Sequence, residues 1–402
     1  MGHRSPKNPV GRWGVSLLLV GLLLFGVARI YPDKDGSPSA LLDREGTLYG
    51  ASSHAPIYID GNADFTNQAS SEGWPGDGSK ANPYIIKGYI IDATNNDGIE
   101  IRNTNLYFII ENVTVYGGWD GIKLYNVTNG NLTGNTLYDN INGISLWISV
   151  NNTLTGNTIH NSDDDGIGLH QSANNTLTGN TVYNNFDDGI YLYQSDGNTL
   201  TNNTVHNNNG DGISLRKSNN NTLIDNTAYK NTYDESPSSF TFEGIYLEES
   251  NNNILTSNIV HNNAYDGIYL YQSDGNTLTG NIAYNNTYSG ISLKNSINNL
   301  LTSNTAHNNE DGIVLYESAN NSLTSNTVYN NNYWGIYLDS GNNNILMDNT
   351  IYNNLETGIF LDSGNNNMLM GNTIYANNDC LLYTSDAADE LDGVDLGGRR
   401  II

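Results

Sequence analysis

Short apolar segments recur along the chain at a nearly constant interval. A Gly-Ile pair opens each repeat at twelve positions, which are 22 or 23 residues apart except for one interval of 32. Ile follows the glycine directly and Leu follows two positions later, and both alternate with polar or aromatic residues. This alternation predicts a strand with one buried face. The repeated glycines are Gly98, Gly121, Gly143, Gly166, Gly189, Gly212, Gly244, Gly267, Gly290, Gly312, Gly335 and Gly358.

Two further short strands are predicted in each repeat. One is centred on a Leu eleven positions after the glycine, as at Leu132 and Leu154. The other carries an apolar residue five positions later, as at Ile159 and Val182. Ser, Asn and Gly between the strands favour turns. Because so small a unit cannot bury a core alone, we expect the repeats to stack as an all-β solenoid, a single-stranded parallel β-helix of at least 12 coils.

Asparagine dominates the composition, with 69 residues in a chain of 402. Asn stands fourteen positions after every repeated glycine. Equivalent positions of successive coils lie about 4.8 Å apart, so we expect a ladder in which side-chain amides bond up and down the stack. The predicted rungs are Asn112, Asn135, Asn157, Asn180, Asn203, Asn226, Asn258, Asn281, Asn304, Asn326, Asn349 and Asn372.

Composition disfavours several other classes of protein. Only 14% of the residues are charged and helix formers are scarce, which argues against a helical or doubly wound α/β fold. The 16 basic and 42 acidic residues give a formal net charge of -26, which repels nucleic acids. A single Cys, Cys380, can form neither a disulfide scaffold nor a thiolate metal cluster.

Residues 1–31 are predicted to be a signal peptide or an N-terminal membrane anchor. Arg4, Lys7 and Arg12 precede an uncharged, Leu-rich run over residues 13–28, and small residues at its end suit cleavage by a signal peptidase. The run is short for a spanning helix. A buried N-terminal helix is the alternative. We therefore expect export to the cell surface or the extracellular space.

The remaining boundaries follow from shifts in composition. Residues 32–53 are predicted to form a linker, residues 54–93 an N-terminal cap with the first coil, and residues 94–379 the repeats. Residues 232–242 contain the insertion that causes the one long interval. Residues 380–402 abandon the Asn-rich pattern and resemble translated sequencing adapter, so we expect the native C-terminus to be missing. A divergent cap is the alternative interpretation of this tail.

The repeats and the lead-in, with its PIYIDGNADF and NPYIIKGYIIDATNNDGIEI segments, resemble the extracellular right-handed parallel β-helix repeat proteins common in archaea. Their domain is shared with the copper-associated periplasmic protein NosD and with pectin-lyase-like β-helices that bind or cleave carbohydrates. The resemblance covers residues 56–379. It implies a carbohydrate-binding or cell-surface structural rod. A lyase or hydrolase of acidic polysaccharides and a periplasmic accessory protein for a copper enzyme are the alternatives.

Two columns of side chains are predicted on the outer face of the first strand, two and four positions after each glycine. Aromatic rings there can stack on sugar rings, while charged groups bond hydroxyls. Aromatic columns also stabilise stacked strands, so a structural role is the alternative. The candidate carbohydrate-binding residues are Trp147, His170, Tyr191, Tyr193, Arg216, Tyr246, Glu248, Tyr269 and Tyr271.

Aspartate precedes the repeated glycine in several coils. Carboxylates stacked in this way should raise one another's pKa or bind a hard cation such as Ca²⁺. Solvated turn residues are the alternative. The candidate Ca²⁺ ligands are Asp164, Asp165, Asp187, Asp188 and Asp211.

The resemblance also suggests a catalytic residue. Polyuronate lyases of similar fold use an Arg or Lys as base, and this makes Arg216 the candidate catalytic residue.

The binding role requires no cofactor, and the sequence does not support a copper site. Four His residues share one column but alternate with Tyr, so neighbouring His are about 9.6 Å apart, too far to bind one copper ion together. These are His160, His206, His261 and His307.

Overall fold

The structure is a computed structural model that describes residues 41–42, 48–49, 51–232, 242–379 and 382–384. The chain divides after Ala51 into two units. In the first unit, the strands Leu41–Leu42 and Leu48–Tyr49 pair antiparallel with each other. The predicted export segment lies outside the described residues. Within the described part of the chain, no helix is both long enough and apolar enough to cross a membrane.

The described residues between Ser52 and Thr384 form a right-handed parallel β-helix, as predicted. Each coil contributes a strand to each of three sheets, and equivalent strands of successive coils pair in parallel. The main sheet contains Ile57–Asp60, Ile99–Thr104, Asp120–Val127, Asn142–Trp147, Ile167–His170, Ile190–Tyr193, Ile213–Arg216, Ile245–Glu248, Ile268–Tyr271, Ser289–Lys294, Asp311–Tyr316, Ile336–Asp339, Ile359–Asp362 and Leu382–Thr384.

The two other sheets complete each coil. The second sheet contains Tyr84–Lys87, Phe108–Glu111, Gly130–Thr133, Thr153–Thr155, Thr176–Thr178, Thr199–Thr201, Thr222–Ile224, Ile254–Thr256, Thr277–Thr279, Leu300–Thr302, Ser322–Thr324, Ile345–Met347 and Met368–Met370. The third sheet contains Ser52–His54, Tyr89–Asp92, Thr114–Tyr116, Thr136–Tyr138, Thr158–His160, Thr181–Tyr183, Thr204–His206, Thr227–Tyr229, Ile259–His261, Ile282–Tyr284, Thr305–His307, Thr327–Tyr329, Thr350–Tyr352 and Thr373–Tyr375.

Aliphatic side chains fill the interior in layers, at the predicted inward positions. In one coil these are Ile167 and Leu169 from the main sheet, Leu177 from the second and Val182 from the third, all fully buried. A Cβ at Gly166 would collide with Val182 and with the carbonyl of the next repeated glycine. The close approach of successive coils at this corner therefore explains why each repeat begins with glycine.

The predicted asparagine ladder runs between the second and third sheets. Oδ1 of Asn203 accepts the main-chain N–H of Asn180 at 3.0 Å and its side-chain N–H at 2.9 Å. Nδ2 of Asn203 donates to Oδ1 of Asn226 and to the carbonyl of Leu177, both at 2.9 Å. The rungs from Asn135 to Asn372 repeat this pattern. Each buried amide is thereby paired with neighbouring coils.

The prediction that Asn112 is the first rung is wrong. Ile110 pairs with Leu132 of the next coil, although Ile110 is twelve positions after its repeated glycine and Leu132 only eleven. This coil therefore has one extra residue before the rung. Val113 takes the place of the first rung, and its N–H donates to Oδ1 of Asn135 at 3.1 Å.

Other corners of the coil contain buried polar ladders that the sequence analysis did not identify. Asn152 donates its main-chain N–H to Oδ1 of Asn175 at 2.8 Å, and Asn185 does the same to Asn208 at 3.1 Å. A serine ladder follows the main sheet, where Oγ of Ser172 donates to a main-chain carbonyl of the preceding coil at 3.1 Å. Polar side chains thus join successive coils wherever the backbone turns between sheets.

One helix, Asn62–Glu72, departs from the all-β expectation. It lies in the segment predicted as the N-terminal cap. Its buried Phe65 ring lies 5.1 Å from the ring of Tyr84 and 5.3 Å from that of Phe108. We interpret the helix as a cover for apolar side chains that have no preceding coil. Its sequence is mostly polar and shows too little apolar periodicity to be recognised as helical.

The insertion and the tail are described only in part. Residues 233–241 lie outside the described residues, as does most of the tail. The strand Leu382–Thr384 pairs with Ile359–Asp362 and extends the main sheet. The proposed origin of residues 380–402 stays a prediction.

Replacing Asn203 with Ala is expected to lower the free energy of unfolding by about 1 to 3 kcal/mol, because its neighbours lose buried hydrogen-bond partners. Urea unfolding followed by circular dichroism measures this change. Asn332→Ala, at an exposed position, is the control and should stay within about 0.5 kcal/mol of the wild type. Equal stability of the two variants would contradict the ladder.

Candidate functional site

A groove lies on the outer face of the main sheet, between the strands Ile99–Thr104 and Ile213–Arg216. Its volume is about 700 Å³, within the range of about 300 to 1,000 Å³ that is typical of ligand sites. Four candidate carbohydrate-binding residues line it, namely Trp147, His170, Tyr191 and Arg216. Four candidate Ca²⁺ ligands also line it, namely Asp164, Asp165, Asp187 and Asp188. The structure therefore brings the two sets of candidates together.

The hollow is the part of this groove that Trp147, Asp165, His170 and Tyr191 line. Gly168, which is buried, is the one glycine in the column two positions after the repeated glycines, and Tyr191 occupies the equivalent place in the next coil. A Cβ at Gly168 would lie 3.2 Å from Nε2 of His170 and 3.6 Å from Oδ2 of Asp165. The glycine therefore leaves room for the His170 side chain, which would have to move to admit a larger residue.

Aromatic rings form one side of the hollow. Trp147 and His170 pair in register, and their rings stack with centroids 4.0 Å apart. Trp147 is 41% exposed, so one stacking surface faces solvent. Burial lowers the pKa of His170, which favours the neutral imidazole at neutral pH. Tyr191 meets His170 edge to face at 5.6 Å, and burial raises the pKa of Tyr191 to about 12.

Lys123 contributes a positive charge that the sequence analysis did not single out. Its Nζ lies 3.1 Å from Oδ2 of Asp120 and 3.3 Å from Oδ2 of Asp97. Burial opposes the charge, but the two carboxylates outweigh burial and raise the pKa of Lys123. The ammonium group is thus held in place beside the groove.

Arg216 contributes a second positive charge. Its guanidinium lies 5.6 Å from the ring centroid of Tyr191, and its Nε lies 3.7 Å from a carboxylate oxygen of Glu248. Burial opposes the charge, yet Asp188 and Asp211 outweigh it and raise the pKa of Arg216. A side chain held protonated in this way suits the binding of an anionic group, and it disfavours the role of base implied by the resemblance to lyases.

Asp165, Asp188 and Asp211, which precede repeated glycines, form a carboxyl ladder and are buried, so they are not solvated turn residues. Oδ1 of Asp165 accepts the N–H of Asp188 at 3.2 Å, and Oδ1 of Asp188 accepts the N–H of Asp211 at 2.6 Å. Oδ1 of Asp211 accepts the N–H of Glu243 at 2.9 Å. Burial, and then neighbouring carboxylates, raise the pKa of Asp165, Asp188 and Asp211 well above the usual range.

Three of the five candidate Ca²⁺ ligands come close together. Asp164, Asp165 and Asp187 offer carboxylate oxygens that all lie within 4.8 Å of one another. Burial raises the pKa of Asp164 and of Asp187, and Arg216 partly offsets the rise for Asp187. These three residues are the ones that would hold a hard cation.

The other candidate residues lie farther along the same face. Tyr246 and Tyr269 stack with ring centroids 5.5 Å apart, and Glu248 pairs with Arg216. Tyr193 and Tyr271 occupy the column four positions after the glycines. These residues lie on the predicted face of the main sheet, whereas the position of the groove was not predicted from the sequence.

The sequence model of the right-handed beta helix region family matches residues 97–236 and 243–393. The chain belongs to this β-helix family. No match was found among the curated proteins. Membership of this family accounts for the fold, whereas the chemistry of the groove depends on the residues that line it.

Several solved structures are similar to this β-helix protein at low sequence identity. A point mutant of the periplasmic alginate epimerase AlgG is 16% identical, with a TM-score of 0.47 over 80% of this chain and 85% of that chain. The Azotobacter vinelandii mannuronan C-5 epimerase AlgE4 A-module is 15% identical, with a TM-score of 0.49 over 78% and 92%. The Dettilon tailspike protein is 14% identical, with a TM-score of 0.47 over 80% and 64%.

A column of stacked rings runs along the outer face of the third sheet of the β-helix. Tyr183 lies between His160 and His206, with ring centroids 4.8 and 5.1 Å apart. Similar contacts continue to Tyr352 and Tyr375, whose centroids are 5.1 Å apart. This face carries rings without a hollow, so it offers matched positions for control variants.

The stability of this β-helix is expected to fall as the pH rises above about 4. Because the folded state raises the pKa of Asp188, it holds the proton more tightly than the unfolded state does. The resulting stabilisation is complete below the ordinary Asp pKa of about 3.9 and is lost as the pH rises through the folded-state value. Thermal unfolding midpoints across this pH range measure the effect.

Asp188→Asn should flatten this pH dependence, since an amide keeps an acceptor for the N–H of Asp211 and carries no charge. Asp225→Asn, at an exposed turn position, is the control and should behave as the wild type does. A profile for Asp188→Asn as steep as that of the control would contradict the carboxyl ladder.

Proposed function

We propose that the chain binds a polysaccharide along the outer face of the main sheet, with the groove as its principal binding site. The observation that carries this proposal is the groove of about 700 Å³ beside the ring stack of Trp147 and His170. Trp147 is 41% exposed, and the groove leaves room for a sugar ring against it.

The polar groups around the hollow match the hydroxyl-rich edge of a sugar. Asp165 and His170 line it, and both can donate or accept a hydrogen bond according to their protonation state. Lys123 and Arg216 add donors that could bind a carboxylate or hydroxyl oxygen. An apolar ring surface bordered by a few fixed polar groups is the usual composition of a small-ligand site.

Binding is tested by depletion of the protein on a panel of neutral and uronate-containing polysaccharides. Trp147→Ala should weaken binding by about tenfold or more, because the exposed stacking surface is lost. Gly168→Tyr should do the same, because a side chain at this position would displace His170 from its stack with Trp147. Tyr375→Ala, in the ring column of the third sheet, is the control. Failure of the wild type to bind any polymer, or equal binding by all variants, would contradict the proposal.

A second candidate function is the cleavage of an acidic polysaccharide. It is favoured by Asp165 and His170, which both line the hollow. For an elimination, neutral His170 would take the proton from the carbon next to the sugar carboxylate. Protonated Asp165 would give its proton to the departing glycosidic oxygen as the C–O bond breaks and a C=C bond forms. Arg216 would neutralise the sugar carboxylate. Asp165 would then not be a ligand of the cation, and Asp164 and Asp187 alone would hold Ca²⁺.

This reaction is tested by incubating the protein with uronate polymers and following the ultraviolet absorbance of unsaturated products. The expected result is product formation that Asp165→Asn and His170→Gln each reduce by about 10²-fold or more. Chelation of Ca²⁺ in a parallel sample tests the role of the aspartates. If no uronate polymer yields products while the protein still binds polysaccharide, the second candidate function is refuted and only the binding function remains.

A further inference from the structure

A second aromatic cluster lies on the outer face of the main sheet, in the coils that begin at Gly335 and Gly358. The rings of Tyr337 and Phe360 stack with centroids 5.2 Å apart and an interplanar angle of 13°. The ring of Trp334 lies 4.3 Å from that of Tyr337 and 5.3 Å from that of Phe360. We name Trp334, Tyr337 and Phe360 the C-terminal platform.

Trp334 departs from the repeat at this point. It stands directly before the repeated glycine, where several coils have a buried acid, and its N–H still donates to Oδ1 of Asp311 at 3.0 Å. The backbone bond of the carboxyl ladder is therefore retained, while the side chain contacts the rings on the outer face. Ser292 and Val314 occupy the outward position in the two preceding repeats. These non-aromatic residues separate the platform from the rings around Tyr269.

Carboxylates accompany the rings of the platform. Asp339 and Asp362 pair in register in the same two strands, two positions after Tyr337 and Phe360, and residues two apart in a strand lie on one face. The sequence contains no Lys or Arg between Lys294 and Arg399. A ring surface with carboxylate acceptors, and without basic residues from its own coils, suits the hydroxyls of an uncharged sugar and disfavours a uronate.

We propose that the C-terminal platform is a second binding site, which takes an uncharged pyranose unit of the same polysaccharide chain that occupies the groove. This inference rests on the proposed polysaccharide-binding function. The strands Ile167–His170 and Ile336–Asp339 are seven spacings apart in the main sheet, or about 34 Å at about 4.8 Å per strand. A polymer that follows the face of the sheet reaches both sites.

Because the two sites lie on one rigid face, the affinity for a saccharide should depend on its length. A saccharide too short to bridge the sites binds each of them independently. A longer one binds the second site intramolecularly, and the effective concentration then raises the affinity by about 10² to 10⁴-fold. The rigidity of the stacked coils keeps the distance between the sites constant, so the gain should appear above a threshold length.

The platform is tested first with the groove disrupted, in the Gly168→Tyr protein. Isothermal titration with size-fractionated cello- and manno-oligosaccharides should detect weak binding that Trp334→Ala lowers by about tenfold or more. Trp334→Phe, which keeps a ring, should restore most of it. Tyr375→Ala is the matched control, since it removes a ring from another face. Circular dichroism of each variant establishes that the β-helix is intact.

The length dependence is tested next, with the same oligosaccharides and the native groove. The wild type should bind those longer than about 34 Å at least about 10²-fold more tightly than short ones, and Trp334→Ala should lose that gain while it keeps the affinity for short ones.

An absence of oligosaccharide binding to the Gly168→Tyr protein would overturn the inference, and so would binding that is insensitive to Trp334→Ala. Failure of the proposed function looks different, because Trp147→Ala and Gly168→Tyr would then bind polymers as well as the wild type does.

Discussion

The rest of the structure depends on the stacking of each coil on the next at a spacing of about 4.8 Å. At this spacing a buried amide, hydroxyl or carboxyl has its hydrogen-bond partner in the neighbouring coil, as Asn203 does with Asn180 and Asn226. An unpaired group in such an interior is costly. The polar ladders therefore hold the register of the coils, while the aliphatic layers supply the hydrophobic stabilisation.

The same regularity makes exceptions informative. Gly168 lacks the side chain that its column provides elsewhere, and Trp334 replaces a buried acid with a ring on the outer face. Both lie on the main sheet, where the candidate sugar-binding groups are concentrated. The third sheet keeps an unbroken column of rings between Tyr138 and Tyr375, which is what a structural role alone requires.

Most of the fold could be predicted from the sequence, because the period of the glycines and the alternation of Ile and Leu specify stacked strands. The ladder from Asn135 to Asn372 could be predicted from that period. The extra residue before Val113, which shifts the first rung by one position, was not predicted. Burial of Asp165 and Asp188 could not be predicted, since an aspartate before glycine suits a solvated turn equally well. The helix Asn62–Glu72 has no repeat to reveal it.

Hydroxyl-radical footprinting of the protein bound to a polysaccharide tests most directly the claim that the main-sheet face is the binding surface. Mass spectrometry would measure oxidation of each aromatic residue with and without the polymer. The account predicts protection of Trp147, Tyr191 and Trp334, and unchanged oxidation of Tyr183 and Tyr375 on the third sheet. Protection of the third-sheet column, with Trp147 and Trp334 still oxidised, would contradict it.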